Sequence, residues 1–197
     1  MQLSLILSMA AFALVSSITP GPVNLITLSA AVNFGWRVAL RHVWGATLGF
    51  TFLLVLLGVS VHAVLHFLPQ LSLALHWVGV AFLVYLALRL ASSQSHIERQ
   101  QNAPAPSFLS GALLQWLNPK AWIACISGVA AFTAEGATQT LWWFALIYFV
   151  VCFLSLACWA VAGIFLSIYL RQPRYLRAFN LSMAALLLAS AVYLLMS

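Results

Sequence analysis

Long apolar runs, each close to or beyond the length of a membrane-spanning helix, constrain this chain more than any other feature of its sequence. The runs cover about residues 3–34, 38–67, 71–91, 108–132, 140–170 and 176–196. A helix needs about 20 apolar residues to cross a bilayer, so each run is a candidate span. Only 5% of the residues are charged, and so few charges cannot cover a water-soluble surface. The sequence therefore excludes a soluble enzyme, a nucleic-acid-binding protein and a disordered chain, and predicts an all-α polytopic membrane protein with six transmembrane helices.

Proline interrupts the first and the fourth run at corresponding positions. Pro20 and Pro119 are separated by about half of the chain, and each lies in the first run of its half. Three spans per half would insert the two halves upside-down relative to each other, which predicts a 3+3 inverted repeat. Interrupted spans at matching positions of such halves are typical of a transporter's substrate site. The alternative is that transmembrane helices simply tolerate proline.

The repeat also predicts how the chain is organised. Residues 1–197 form a single membrane domain, whose halves are about 1–93 and about 107–197. A polar stretch, about 94–106, joins the halves and contains the proline, serine and glutamine residues that are typical of a solvated loop.

Arginines are confined to alternate loops. The seven arginines are Arg37, Arg41, Arg89, Arg99, Arg171, Arg174 and Arg177. They flank the loops that follow the first, third and fifth runs, whereas the other loops and both termini carry no basic residue. The positive-inside rule therefore places these loops in the cytoplasm and both termini outside. The net charge of +6 is explained by topology and by contact with anionic lipids, and needs no nucleic-acid partner.

Lys120 is the only lysine, and it lies inside an apolar run directly after Asn118 and Pro119. An ionisable group at membrane depth is costly and is a functional hypothesis by default; the alternative is a lysine that snorkels to the interface. Each proline break begins a new helix segment, whose first N–H groups are unpaired and carry a partial positive charge. Two helix starts and one ammonium group would bind an anion such as a carboxylate.

These considerations predict a substrate site for an amino acid. Its predicted residues are Thr19, Gly21, Pro22, Asn24, Asn118, Pro119 and Lys120, with Gln115 as a further lining residue. Arg37 and Arg41 would attract anionic groups at the cytoplasmic mouth. Carbonyl groups freed by the prolines would accept hydrogen bonds from the substrate amine. Because no Asp or Glu lies in any apolar run, a small neutral amino acid fits better than a basic one.

Cysteine and histidine give no comparable signal. The cysteines Cys125, Cys152 and Cys158 lie in apolar runs without a CxxC motif, which favours packed side chains over a membrane thiol-redox carrier. His62 and His66 have a metal-ligand spacing, but no acid or cysteine accompanies them. We therefore expect no metal, no cofactor and no enzymatic activity.

Two features of the second run remain to be assigned. His42 follows Arg41 and is assigned to the same cytoplasmic surface. Gly45 and Gly49 form a small-xxx-small pair, which indicates close helix packing either within the chain or in a homo-oligomer.

Three motifs carry a family resemblance. Thr19-Pro20-Gly21-Pro22-Val23-Asn24, Asn33-Phe34-Gly35-Trp36-Arg37 and Asn118-Pro119-Lys120-Ala121-Trp122 stand in this order, and with them the chain resembles the LysE/RhtB family of amino-acid exporters. The resemblance covers the whole chain, although Val23 stands where the family usually has an asparagine. It implies export of threonine, homoserine, leucine or cysteine-like amino acids across the bacterial cytoplasmic membrane, driven by the proton-motive force. The alternatives are a transporter of a metal or inorganic ion, a thiol-redox carrier and a membrane scaffold protein.

Overall fold

A computed structural model describes residues 2–60, 77, 80–88, 90–92, 105–133, 138–170 and 172–196. The helices are α1 (Leu3–Ile18), α2 (Pro22–Phe34), α3 (Trp36–Val59), α4 (Phe108–Trp116), α5 (Pro119–Phe132), α6 (Thr138–Tyr169) and α7 (Pro173–Met196). Residues 80–88 are also helical. Since the described ranges contain helices and no strand, the predicted all-α class is confirmed.

Several of these helices are long and apolar enough to cross a membrane. In the described part of the chain, α3, α6 and Pro173–Val192 of α7 meet this condition. The pair α1 and α2 meets it together, although the two helices are bent by 61° at the break between them. The described residues thus hold three candidate spans, or four if the bent pair is one span. The last seven residues of the predicted second span (61–67) and nine residues of the third (71–76, 78, 79 and 89) lie outside the described residues. The same holds for Arg99, Arg171, His62 and His66, and Arg89 is among the nine.

Helix α2 occupies the centre of the described bundle. Residues 22–31 are all buried, and the helix packs against α3, α6 and α7. A helix that is apolar on every side is suited to such an interior position. Its far end is joined to α7 by two reciprocal amide hydrogen bonds between Asn33 and Asn180, of 3.1 and 3.3 Å. The break at Pro20 therefore directs the chain from α1 into the core.

Small residues bring α3 and α4 into backbone contact. A Cβ atom on Gly45 would overlap with the Phe108 carbonyl group, and one on Gly49 would lie 2.6 Å from the Cα atom of Ala112. Gly111 of α4 makes the reciprocal contact, because a Cβ atom there would lie 2.4 Å from the His42 carbonyl oxygen of α3. The Gly45/Gly49 pair is therefore used for packing within the chain.

The assignment of His42 to the cytoplasmic surface is wrong. Its side chain is 0% exposed, and its Nδ1 atom lies 3.5 Å from Ser110 Oγ of α4. Adjacent residues of a helix differ in direction by about 100°. Arg41 can thus be exposed while His42 points at the closely packed α4.

Candidate functional site

Both proline breaks have the same local construction. Gly21 is the N-cap of α2 and Pro22 is its first residue; Asn118 is the N-cap of α5 and Pro119 is its first residue. Proline suits a first helical position because its φ is already helical and no N–H is lost there. The new helix segments that the sequence predicts at each break are therefore present.

The two N-cap residues differ in whether a side chain accepts a hydrogen bond from the helix start. Asn118 Oδ1 accepts a hydrogen bond of 3.2 Å from the backbone N–H of Lys120, so its side chain caps α5. Gly21 has no side chain and α2 has no side-chain cap. A Cβ atom at Gly21 would lie 3.4 Å from Lys120 Nζ. The glycine therefore leaves the ammonium group of Lys120 close to the uncapped start of α2.

Three consecutive carbonyl groups at the end of α1 are bonded by side chains from three other helices. Ser17 O accepts a hydrogen bond of 2.9 Å from Asn24 Nδ2 of α2. Ile18 O accepts one of 3.1 Å from Trp159 Nε1 of α6, and Thr19 O accepts one of 2.7 Å from Lys120 Nζ of α5. We expected carbonyl groups at the breaks to be free for a substrate amine, but these three already accept hydrogen bonds from the protein.

Lys120 consequently connects the two breaks. Its side chain is partly exposed and reaches from the start of α5 to the backbone between α1 and α2. Glu98 and Glu135, the two acidic residues of the chain, lie outside the described ranges. Within those ranges the ammonium group therefore has a backbone carbonyl, and no carboxylate, as its partner.

A cavity of about 30 Å³ lies beside this connection. It is lined by Ser16, Ser17, Val23, Asn24, Phe50, Gln115, Asn118, Lys120, Ala121, Ala124, Tyr148, Cys152 and Leu156. Residues from both breaks therefore meet at one cavity. This agrees with the expectation that interrupted spans at matching positions lie at a common site. Such a volume holds a water molecule or two, which is much less than an amino acid occupies.

The structure does not bring all the predicted site residues to this cavity. Asn24, Gln115, Asn118 and Lys120 line it, whereas Thr19, Gly21, Pro22 and Pro119 shape the breaks. The Thr19 hydroxyl is turned back to its own helix and donates to the Val15 carbonyl.

Arg37 and Arg41 lie elsewhere, in a separate open groove. The groove has a volume of about 570 Å³ and is lined by Trp36, Arg37, Leu40, Arg41, Trp44, Leu48 and Phe108. It shares no lining residue with the cavity at Lys120.

Sequence reasoning missed the wall that α6 contributes. Tyr148, Cys152 and Leu156 of α6 line the cavity. Their spacing of four residues is that of one helix face, so the polar groups of Tyr148 and Cys152 inside this apolar run were a usable signal. Phe50 of α3 stacks on the Tyr148 ring at a centroid distance of 4.2 Å. Nothing in the local sequence around Phe50 indicates this contact.

The described residues also bear on metal binding and on disulfide formation. No group of three His, Cys, Asp or Glu side chains that could hold a metal is present among them. Cys125, Cys152 and Cys158 are all free thiols, and Cys158 is exposed. The polar groups that line the cavity at Lys120 are a cation, amides, hydroxyls and a thiol.

Comparison with known proteins identifies the family. The model of the LysE type translocator family matches residues 14–197. The cysteine/O-acetylserine efflux proteins of Escherichia coli (strain K12), of Shigella flexneri serotype 5b (strain 8401) and of E. coli O6:H1 (strain CFT073 / ATCC 700928 / UPEC) are each 30% identical to this chain over 184 residues, 92% of either protein. No solved structure matches the chain. The resemblance seen in the three motifs is thus confirmed: the chain belongs to the LysE type translocator family, and it is a multi-pass membrane transporter rather than an enzyme.

Proposed function

We propose that this protein exports small neutral amino acids of the cysteine and O-acetylserine type across the bacterial cytoplasmic membrane. One observation carries the proposal: residues of both helix breaks, including the only lysine of the chain, line a single cavity. The similarity to cysteine/O-acetylserine efflux proteins over 92% of the chain supports the substrate class.

The geometry suggests how the substrate is held. The carboxylate replaces the Thr19 carbonyl as the partner of the Lys120 ammonium group and also faces the unpaired N–H groups at the start of α2. A carboxylate is the stronger partner, because a hydrogen bond between two charged groups exceeds one to a neutral carbonyl. Asn24 and Asn118 orient the substrate, and the released Thr19 carbonyl becomes available to the substrate amine. Gly21, Pro22 and Pro119 keep the two helix starts in place.

Substrate entry requires movement at the breaks. A cavity of about 30 Å³ cannot hold an amino acid, so α5 and the break between α1 and α2 move apart when the substrate enters. The hydrogen bond from Lys120 Nζ to the Thr19 carbonyl joins them in this conformation.

The membrane arrangement is part of the same proposal. Six spans form a 3+3 inverted repeat, with halves of about 1–93 and 107–197, and both termini face outward. Arg37 and Arg41 attract anionic groups at the cytoplasmic surface. The proton-motive force drives export.

The test is uptake into inside-out membrane vesicles that contain the protein, because export from a cell becomes accumulation in such vesicles. Radiolabelled cysteine, O-acetylserine, threonine, leucine and lysine are compared with Zn²⁺, with and without a pH gradient. We expect accumulation of cysteine and O-acetylserine that collapses with the gradient, and no accumulation of lysine. Accumulation of Zn²⁺ alone, or of none of the amino acids, would contradict the proposal.

A further inference from the structure

The cavity at Lys120 has a second group of polar side chains besides the lysine and the two asparagines. Ser17 of α1 and Tyr148 and Cys152 of α6 line it as well. Their exposed fractions are 9%, 1% and 3%, so these groups are removed from solvent and from lipid. The Ser17 hydroxyl lies near both the Tyr148 phenol and the Cys152 thiol, but it makes a hydrogen bond of regular geometry with neither. The cavity wall is therefore cationic where Lys120 reaches it and neutral but polar on this side.

The Ser17 hydroxyl is left without a hydrogen-bond partner. In the described part of the chain, four buried side-chain atoms have none: Ser17 Oγ, His42 Nε2, Thr47 Oγ1 and Ser155 Oγ. Burying an unpaired hydroxyl is unfavourable, and buried polar groups without partners are few in folded proteins. Of the four, Ser17 Oγ is the one whose residue lines the cavity. It is a hydrogen-bonding group in reach of whatever occupies that space.

The Ser17 backbone and the Tyr148 ring are each anchored by neighbouring residues. The Ser17 backbone is fixed by the hydrogen bond of 2.9 Å from Asn24 Nδ2. The Tyr148 ring is stacked on Phe50 at 4.2 Å and meets Phe144 edge-on at 5.7 Å. A hydrogen-bonding group on a rigid support discriminates between ligands better than a mobile one.

We propose that Ser17 and Tyr148 form the subsite for the side chain of the exported amino acid, and that this subsite selects a short side chain with a thiol, hydroxyl or ester oxygen. The inference rests on the proposed function, in which Lys120 binds the carboxylate. An amino acid has a charged end and a side chain within a few ångströms of each other, and the cavity presents a cation and a neutral polar group in the same small volume. The apolar walls, Val23, Phe50 and Leu156, offer nothing to pair a charged side chain.

The experiment measures selectivity rather than rate. Serine, cysteine and 2-aminobutyrate have nearly the same shape, but the last carries a methyl group where the others carry the hydroxyl or thiol. Uptake into inside-out vesicles gives Vmax/KM for each, and the ratio to 2-aminobutyrate does not depend on how much protein is inserted. We expect Ser17→Ala and Tyr148→Phe each to lower the ratio by about tenfold, since a site built to hydrogen-bond a substrate group discriminates against the analogue without it.

Ser155→Ala is the matched control. It removes another buried hydroxyl without a partner, on the same helix as Tyr148 but outside the cavity lining, so the ratio should stay at the wild-type value. Unchanged ratios in both test variants, with amino-acid export retained, would overturn the subsite and leave the proposed function standing. A wild-type protein that accumulates no amino acid would overturn the proposed function and the subsite with it. An equal fall of the ratio in Ser155→Ala would show a general packing effect and would also overturn the subsite.

Discussion

At the scale of single residues, the hydrogen bond of 2.7 Å between Lys120 Nζ and the Thr19 carbonyl is the most informative contact. It links residues that are 101 positions apart in the sequence, and each belongs to a different helix break. In the described part of the chain this ammonium group is bonded to a neutral carbonyl and to no carboxylate. In the proposed function, the substrate carboxylate supplies the negative charge.

Removing the charge of Lys120 should strongly weaken substrate binding without unfolding the protein. Lys120→Met keeps the length and the apolar stem, so we expect normal insertion. The loss of a hydrogen bond between charged groups corresponds to about 1.5–3 kcal/mol, or about 10–100-fold in Vmax/KM. The measurement is amino-acid uptake into inside-out vesicles, normalised to the amount of inserted protein. Lys120→Arg keeps the charge and should retain binding in part, because a guanidinium group has a different shape.

Wild-type uptake by the Lys120→Met variant would identify Lys120 as a lysine that merely reaches towards the interface. Both variants failing to insert would instead point to a structural role for the contact with Thr19.

The sequence could indicate which residues matter more readily than what they contact. Lys120 and the breaks were predicted because a lone cation and prolines in apolar runs violate local expectations. The Thr19 partner of Lys120, the buried position of His42 and the Ser17–Tyr148 pair depend on contacts between distant segments. A local pattern contains no information on such distances, so these features needed the structure.

At the scale of helices, the contact between α3 and α4 depends on glycine. Gly45→Ala would ordinarily stabilise an exposed helix by about 1 kcal/mol, because alanine has the higher helix propensity. Here the added methyl group overlaps with the Phe108 carbonyl, and we expect a destabilisation of about 1–3 kcal/mol, as for an overpacked core. The thermal midpoint of the purified protein in detergent should therefore fall. Leu48→Ala, on the exposed side of the same helix, should change it little, and an unchanged midpoint for Gly45→Ala would refute the close contact.

The break between α4 and α5 should be required for transport and dispensable for insertion. Pro119→Ala restores a backbone N–H and removes the restriction on the preceding residue, so α4 and α5 can approach one continuous helix. We expect the variant to reach the membrane in normal amounts and to lose most of its uptake in the vesicle assay.

Pro173→Ala changes a proline at the start of α7, away from the cavity, and serves as the control with near-normal uptake. Normal uptake by Pro119→Ala would show that the break between α4 and α5 is not required for substrate transport.

Local chemistry explains why the helix ends were the most predictable part of the fold. Proline was predicted to interrupt the first run at Pro20 and the fourth at Pro119. In the structure α1 ends at Ile18, just before Pro20, and α5 begins at Pro119. Proline and glycine impose these ends through their own backbone restrictions. The 61° bend between α1 and α2 is different, because its size depends on how α2 packs into the core.

At the scale of the whole molecule, the distribution of arginines predicts the topology. Reporter fusions after Ser197 and near Gln70 should report the external side, and fusions near Gln100 should report the cytoplasm. Alkaline phosphatase, which is active outside, and a fluorescent protein, which folds inside, give opposite readouts at each site. A cytoplasmic C-terminus would contradict the predicted orientation, because the arginines place the termini outside and six spans place both termini on the same side of the membrane.

The small size of the cavity at Lys120 has a consequence for the energy balance of the cell. A membrane that stores energy as a proton gradient loses it through any continuous column of water, since protons pass rapidly along hydrogen-bonded water. The empty space of about 30 Å³ holds one or two water molecules, and the aromatic ring of Tyr148 and the side chain of Leu156 are part of its wall. A cavity of this size cannot hold a continuous column of water. In the proposed exporter, this conformation would therefore keep protons from crossing at the site, and the cell could retain the protein in its membrane without draining the gradient.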